Sequence, residues 1–154
     1  MAHNRKVHCV NAHLDARAFA QKEKQILQIS SHLMAKQQAA RADKDEQQLE
    51  FVVCGDWNLC PEVASEGGYG DGREFQFLCE TMALPGLEGV WRVGEVNGTH
   101  NRATLDHIFF RRAAWADVDE NKEVVKKTDD CGLRISDHLG LKIVLMPKIE
   151  TNEG

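Results

Sequence analysis

The sequence predicts one soluble domain of the α/β (α+β) class. In its first half, apolar strand-like runs alternate with two stretches of helical periodicity, and further short strand-like runs follow in the second half. A chain of 154 residues is long enough for one well-packed domain and too short for two. We expect this domain to cover residues 1–148 and a flexible tail to cover 149–154.

Composition and charge narrow the class of protein further. With 42% hydrophobic and 28% charged residues, the chain is typical of a folded, soluble domain. The net charge of −5 argues against a broad basic surface for nucleic acid. No apolar run reaches the roughly 20 residues of a membrane span, so we expect no transmembrane segment. The polar start carries no apolar core of a signal peptide.

The cysteines indicate a reducing compartment. There are five, an odd number, and none forms a C-x-x-C pair of the kind that holds zinc. Free thiols are the simplest interpretation, and they favour a cytoplasmic location.

The first elements are a strand and a long helix. Residues 5–14 are rich in β-formers and partly alternate, which predicts a strand. Residues 15–38 contain no Gly or Pro and carry one apolar stripe, and Asp15 is the expected N-cap. We expect a polar connection over 39–48. The stripe consists of Phe19, Ile26, Ile29 and Leu33.

The rest of the chain predicts further strands, one more helix and two stretches without regular structure. The apolar run at 49–54 suits a strand buried on both faces. Gly and Pro predict a loop over 58–72, and 83–103 should be irregular. The other predicted elements are a helix at 73–82 and strands at 104–111, 123–127 and 141–146.

Two polar motifs lie at the ends of the first two predicted strands. Asn11 and His13 are two positions apart, so they share one face at a strand end. Asp56 and Asn58 lie directly after the buried strand, at the edge where α/β sheets bind ligands. Taken alone, the first motif is explained more simply by a solvated strand edge with a helix cap. An ordinary Asp/Asn/Gly turn explains the second equally well.

Two further motifs lie in the second half. Asp106 interrupts an apolar strand, where a carboxylate is costly to bury without a partner. Its neighbour His107 should be a packing or surface residue. Asp137 and His138 precede the last strand, and an Asp beside a His suits acid–base chemistry. An exposed edge strand and a capping turn are the alternative interpretations.

Together, and in this order, the four motifs resemble the carboxyl-terminal half of the endonuclease/exonuclease/phosphatase superfamily, which has the deoxyribonuclease-I-like fold. The resemblance spans residues 7–146 and depends most on the GDWN and SDH motifs. It implies a half or truncated form of the four-layered αββα sandwich. The first motif, NAHLDA, resembles the sphingomyelinase-like and phosphoinositide-phosphatase-like branches more than the abasic-site endonucleases.

The resemblance implies catalytic roles for five residues. His13 would contact the scissile phosphate and protonate the leaving oxygen. Asp56 would orient or deprotonate the attacking water, and Asn58 would hold a phosphate oxygen. Asp106 would pair with His138, which in turn would stabilise charge on the phosphoryl group.

The resemblance also implies a substrate and metal site. Asn11, Asn58 and His138 would bind substrate, while Asp137 and Asp56 would bind Mg²⁺ or Mn²⁺. Oxygen ligands of this kind favour such hard cations over zinc.

The resemblance thus implies a divalent-metal-dependent phosphoester hydrolase, either a phosphodiesterase or a phosphomonoesterase. Its substrate could be nucleic acid, a phosphoinositide or a sphingolipid. In the superfamily, the amino-terminal half supplies an Asn and a Glu to the metal, and the strand that carries the first motif here already begins at residue 7. We therefore expect weak activity from this chain alone, with either a homodimer or a missing amino-terminal half. The alternative is a non-catalytic half-domain that acts as an interaction module or needs a complementing chain.

Overall fold

The computed structural model describes residues 6–42, 49–61, 72–91, 99, 103–116, 122–125, 138 and 140–147, so the tail predicted at 149–154 lies outside the described residues. The elements, in chain order, are β1 (Lys6–His13), α1 (Phe19–Ala42), β2 (Leu49–Asp56), α2 (Gly72–Ala83), β3 (Glu88–Gly89), β4 (Asp106–Phe110), a 3-10 turn (Arg112–Ala114), β5 (Trp115–Ala116), β6 (Lys122–Val125), β7 (Gly140–Ile143) and β8 (Met146–Pro147). Among the described residues, no helix is both long enough and apolar enough to cross a membrane.

The main sheet is mixed, which confirms the α/β class. Its strand order is β1-β2-β4-β3, with β1 parallel to β2 and β4 antiparallel to both of its neighbours. A parallel pair requires a crossover connection, and α1 lies within the one that joins β1 to β2. Two smaller antiparallel pairs, β5 with β8 and β6 with β7, account for the later strands.

One face of the main sheet packs against the two helices. Phe51 and Val53 of β2 point to this face, and so does Phe109 of β4. Ile26 and Leu33 of α1 are fully buried in the same core, as the helical stripe predicts. Burying such side chains stabilises the layer by roughly 1.5–3 kcal/mol each.

The alternate residues of these strands form the opposite face. Val52 and Cys54 of β2 are half-buried there, and Ile108 and Phe110 of β4 are buried. Because side chains alternate along a strand, Asp56 continues the row of Val52 and Cys54. The polar end of β2 therefore belongs to the face away from the helices.

The boundaries of α1 differ from the prediction. The helix begins at Phe19 rather than at residue 15, and the predicted N-cap at Asp15 is wrong. Asp15 Oδ1 instead accepts a hydrogen bond from the Arg17 backbone N–H at 2.7 Å, which closes a local turn before the helix. At its other end α1 continues to Ala42, because the Ala- and Gln-rich stretch has high helix propensity.

Two other differences are smaller. A short strand, β3, occurs within the range predicted to be irregular, since Glu88 and Gly89 pair with β4. The loop predicted at 58–72 is described only up to residue 61 and from Gly72, where α2 starts.

The ends of β1 and β2 approach each other closely at Gly55. Its φ of +139° lies in a region that L side chains rarely adopt. A Cβ atom at this position would lie 1.8 Å from the carbonyl oxygen of Ala12. Only glycine therefore allows this approach, which brings the first two polar motifs side by side.

Candidate active site

Three adjacent strands carry a polar terminal residue at the same edge of the sheet, where β1 and β2 end and β4 begins. His13, the last residue of β1, is the register partner of Asp56 in β2. Asp56 is in turn the register partner of Asp106, the first residue of β4. Since register partners on neighbouring strands point to the same face, the sheet brings the three side chains into one row.

Two histidine rings face the same carboxylate oxygen. Nε2 of His13 lies 3.6 Å from Oδ2 of Asp56, and Nε2 of His138 lies 3.7 Å from that atom. Both separations are longer than a direct hydrogen bond and within the range of an ion pair. The His13 side chain is 78% exposed, whereas those of Asp56 and His138 are 17% and 26% exposed.

The predicted contact between Asp106 and His138 is present. Nδ1 of His138 lies 2.8 Å from Oδ2 of Asp106, a distance typical of a hydrogen bond to a carboxylate. A carboxylate accepts, so Nδ1 carries the proton. This contact fixes the ring so that Nε2 points towards Asp56.

The two oxygens of Asp56 have different surroundings. Oδ1 accepts a hydrogen bond from the Asn58 backbone N–H at 2.9 Å. Among the described residues, Oδ2 accepts no hydrogen bond and faces the two histidines. One oxygen thus holds the turn after β2, and the other is open to a water molecule, a proton or a cation.

The other predicted site residues have mixed placements. The Asn58 side chain is buried, and its Nδ2 donates to the Leu14 carbonyl at 2.9 Å. The Asn58 amide therefore stabilises the turn after β2. Its contact with a phosphate oxygen stays a prediction. Asn11 is exposed on β1, two residues before His13. Asp137, a predicted metal ligand, lies outside the described residues.

The backbone at the start of β4 is hydrogen-bonded by two side chains outside the four sequence motifs. The buried Thr99 hydroxyl accepts hydrogen bonds from the backbone N–H groups of Leu105 and Asp106, at 2.9 and 3.2 Å. The Trp91 ring N–H donates to the Asp106 carbonyl at 3.3 Å. Neither residue belongs to a recognisable motif, so only the fold reveals this support.

His107 is a packing residue, one of the two alternatives that the sequence offered. It is buried, and its ring centroid lies 4.6 Å from that of Phe75. Burial is the main cause that lowers the pKa of His107 to about 4. The neutral ring then donates from Nε2 to the Leu59 carbonyl at 2.6 Å.

Other side chains that could bind a substrate are engaged within the fold. Trp57 follows Asp56 in sequence, but its ring is fully buried and donates to the His107 carbonyl. Arg111 lies 3.6 Å from the buried carboxylate of Glu50. Trp57 is therefore part of the core and does not offer a surface for a base or a sugar.

Asp56 is the carboxylate of the site best placed to bind a divalent cation. Asp56 Oδ2 suits a hard cation, because it is an oxygen donor without a hydrogen bond in the described ranges. Those ranges contain no group of three or more His, Cys, Asp and Glu side chains arranged around a metal position. A complete site would therefore need ligands beyond them, such as Asp137.

A scan against protein-family models gives no match to this chain, and a search of curated proteins finds no relative. The candidate site is therefore assigned from its sequence motifs and its geometry.

Proposed function

We propose that this chain is a divalent-metal-dependent phosphoester hydrolase of the endonuclease/exonuclease/phosphatase superfamily. The observation that carries the proposal is the convergence of His13, Asp56, Asp106 and His138, which are up to 125 positions apart in the sequence. The imidazoles of His13 and His138 face the carboxylate of Asp56, and the carboxylate of Asp106 contacts the His138 ring. Such a group of side chains can transfer protons and supply positive charge.

Each side chain has a distinct task in this proposal. Asp56 Oδ2 accepts a proton from the attacking water, whose oxygen forms the new bond to phosphorus. His138 stabilises the negative charge that develops on the phosphoryl oxygens, and Asp106 maintains its orientation. His13 is the more exposed ring, and it protonates the leaving oxygen as the old phosphorus–oxygen bond breaks.

Asp56 and Asp137 are the proposed ligands of Mg²⁺ or Mn²⁺. A bound cation of this kind supplies positive charge over the phosphoryl oxygens and lowers the pKa of coordinated water. Asp56 Oδ2 accepts no hydrogen bond within the described ranges, so its two lone pairs can serve the cation and the attacking water together.

The fold we propose is one half of the deoxyribonuclease-I-like sandwich. A mixed sheet with helices on one face, and a polar site where β1 and β2 end and β4 begins, supports it. The substrate class stays open among nucleic acid, phosphoinositide and sphingolipid. Arg111 and Arg112, two arginines that flank β4, contact Glu50 and Glu88 and so give no support to a nucleic-acid surface.

Hydrolysis of bis(4-nitrophenyl) phosphate and 4-nitrophenyl phosphate with Mg²⁺ or Mn²⁺ tests the reaction. Asp56→Ala and His138→Ala should each lower the rate by about 10²–10⁴-fold, the usual contribution of a positioned acid or base. His32→Ala is the matched control, because His32 is exposed on α1. Equal rates in all four proteins would exclude this mechanism.

A second candidate function is a non-catalytic module that is completed by another chain. The exposure of β1, of which six residues out of eight are exposed, favours it. Thermal unfolding with added Mg²⁺ separates the two functions, since a ligand at 100 times its Kd stabilises by about 2.7 kcal/mol. Stabilisation that Asp56→Ala abolishes supports the hydrolase, and no stabilisation favours the module.

A further inference from the structure

A buried lysine in α1 reaches the turn that carries Asp56. Lys22 is 5% exposed, and its Nζ donates a hydrogen bond of 2.7 Å to the carbonyl of Asn58. The carboxylate of Glu74, in α2, lies 4.0 Å from the same ammonium group. Burying an ammonium group is costly unless it is paired and hydrogen-bonded, so this placement is stabilised by specific partners.

Asn58 connects three parts of the molecule. Its backbone N–H donates to Asp56 Oδ1, its side-chain amide donates to the Leu14 carbonyl, and its own carbonyl accepts from Lys22. These bonds join the end of β2, the segment after β1 and the first turns of α1. The orientation of the Asn58 peptide groups therefore affects all three.

The backbone conformation of Asn58 makes it sensitive to this support. Its φ of +50° lies in the left-handed region, which Asn tolerates better than most residues but which still has a conformational cost. A charged donor on the carbonyl stabilises the peptide that follows in the required orientation. Without Lys22, the turn could relax towards a more common conformation.

A change in this turn would reach the candidate site through Asp56. The Asn58 N–H holds Oδ1, which leaves Oδ2 directed at His13 and His138. If the N–H moves, the carboxylate can rotate about its last side-chain bond. Both histidine contacts would then change together.

We propose that Lys22 is a positioning residue for Asp56, acting through the carbonyl of Asn58. The inference deepens the proposed function, since it assigns the control of carboxylate orientation in that same site. Lys22 is not part of the row of His13, Asp56 and Asp106: it approaches the turn from the helix layer on the other face of the sheet.

Histidine ring resonances in NMR spectra test the inference without any need for turnover. In Lys22→Met, which keeps the length of the side chain and removes the charge, the ring signals of His13 and His138 should shift. The direction should match that in Asp56→Asn, the reference for a lost carboxylate. The ring signal of the exposed His32 should not move.

Two further variants serve as controls. Lys24→Met removes an exposed lysine two positions away and should leave all ring signals unchanged. Lys22→Arg keeps a cationic donor and should restore the signals of His13 and His138 towards their wild-type positions. A folded Lys22→Met protein with wild-type ring signals would overturn the inference.

The wild-type protein gives a second measurement in case Lys22→Met does not fold. A hydrogen-bonded, buried ammonium exchanges its protons with water slowly, so the Lys22 Nζ signal should be detectable where that of Lys24 is not. Exchange equally fast at both lysines would overturn the inference.

Kinetics distinguish this inference from the proposed function. If the wild type hydrolyses phosphoesters, Lys22→Met should lower kcat by about 10- to 100-fold with little change in KM, because misplacing a reacting group by about 1 Å costs on that order. If the wild type has no activity, the proposed function fails and the ring signals still decide the role of Lys22.

Discussion

His138 donates from Nδ1 to Oδ2 of Asp106 across 2.8 Å, while its Nε2 faces Asp56 Oδ2 at 3.7 Å. The ring therefore links two carboxylates that are register partners on neighbouring strands. The carboxylate of Asp106 fixes the tautomer of the ring. The carboxylate of Asp56 lies on the other side of the ring, where a substrate could bind. This relationship distinguishes the site from a collection of solvated turns at strand ends.

The first prediction concerns Asp106. Asp106→Asn keeps the size of the side chain but offers the His138 ring an amide, whose oxygen is a weaker acceptor than a carboxylate. We expect a rate of phosphoester hydrolysis between those of the wild type and His138→Ala. The ¹⁵N shifts of His138 should show more of the other tautomer. An unchanged ring spectrum in Asp106→Asn would contradict the proposed orientation.

The second prediction compares two glycines with positive φ. Gly55→Ala should lower the free energy of unfolding by more than about 3 kcal/mol, because its Cβ would overlap the Ala12 carbonyl. Losses of this size are typical of severe steric conflicts. Gly86→Ala meets no atom within 4 Å, so it should cost only the backbone strain of about 1 kcal/mol. Urea unfolding measures both values. Equal losses would argue against the close approach of β1 and β2.

The third prediction is a pH dependence from His107. Its pKa is lowered from 6.5 to about 4 in the folded chain, so between these values the unfolded chain binds a proton that the folded chain does not. The stability of the wild type should therefore be unaffected by His107 above pH 6.5. As the pH falls from 6.5 to 4, His107 should lower the free energy of unfolding by about 3 kcal/mol.

His107→Gln isolates this effect, because a glutamine amide can still donate to the Leu59 carbonyl and does not titrate. The free energy of unfolding of the wild type should decline relative to that of His107→Gln as the pH falls through this window. His32→Gln, an exposed control, should show no such difference. Parallel curves for the wild type and His107→Gln would show that His107 is not buried as a neutral ring.

The fourth prediction concerns the edge formed by β1. Within the described sheet β1 pairs with β2 alone, and Val7 is 45% exposed on it. Strand edges of this kind can pair with another chain, so we expect a homodimer that forms in a concentration-dependent way. Val7→Lys should weaken the dimer in light scattering. Leu84→Lys, at a 66% exposed position after α2, should not. A monomer at every concentration would exclude this dimer.

The sequence by itself indicated the two helices, the longer strands and the polar residues at the strand ends. Apolar periodicity placed Ile26 and Leu33 in the core, and a compact apolar run predicted β2, because both signals are local and depend on burial of one face. The same signals were too coarse for the start of α1, where Asp15 closes a turn with Arg17 instead of capping the helix.

Apart from the Asp106–His138 pair, which the resemblance implied, only the tertiary structure decided which of these residues meet. The contacts among His13, Asp56 and His138 depend on strand register, which local patterns do not encode over separations of tens of residues. The sequence also did not identify the residues that support the site. Lys22 resembles any other helical lysine in the sequence, and only the packing of α1 shows that its Nζ contacts the Asn58 carbonyl. Local sequence thus specifies elements, whereas packing selects the partner of each polar atom.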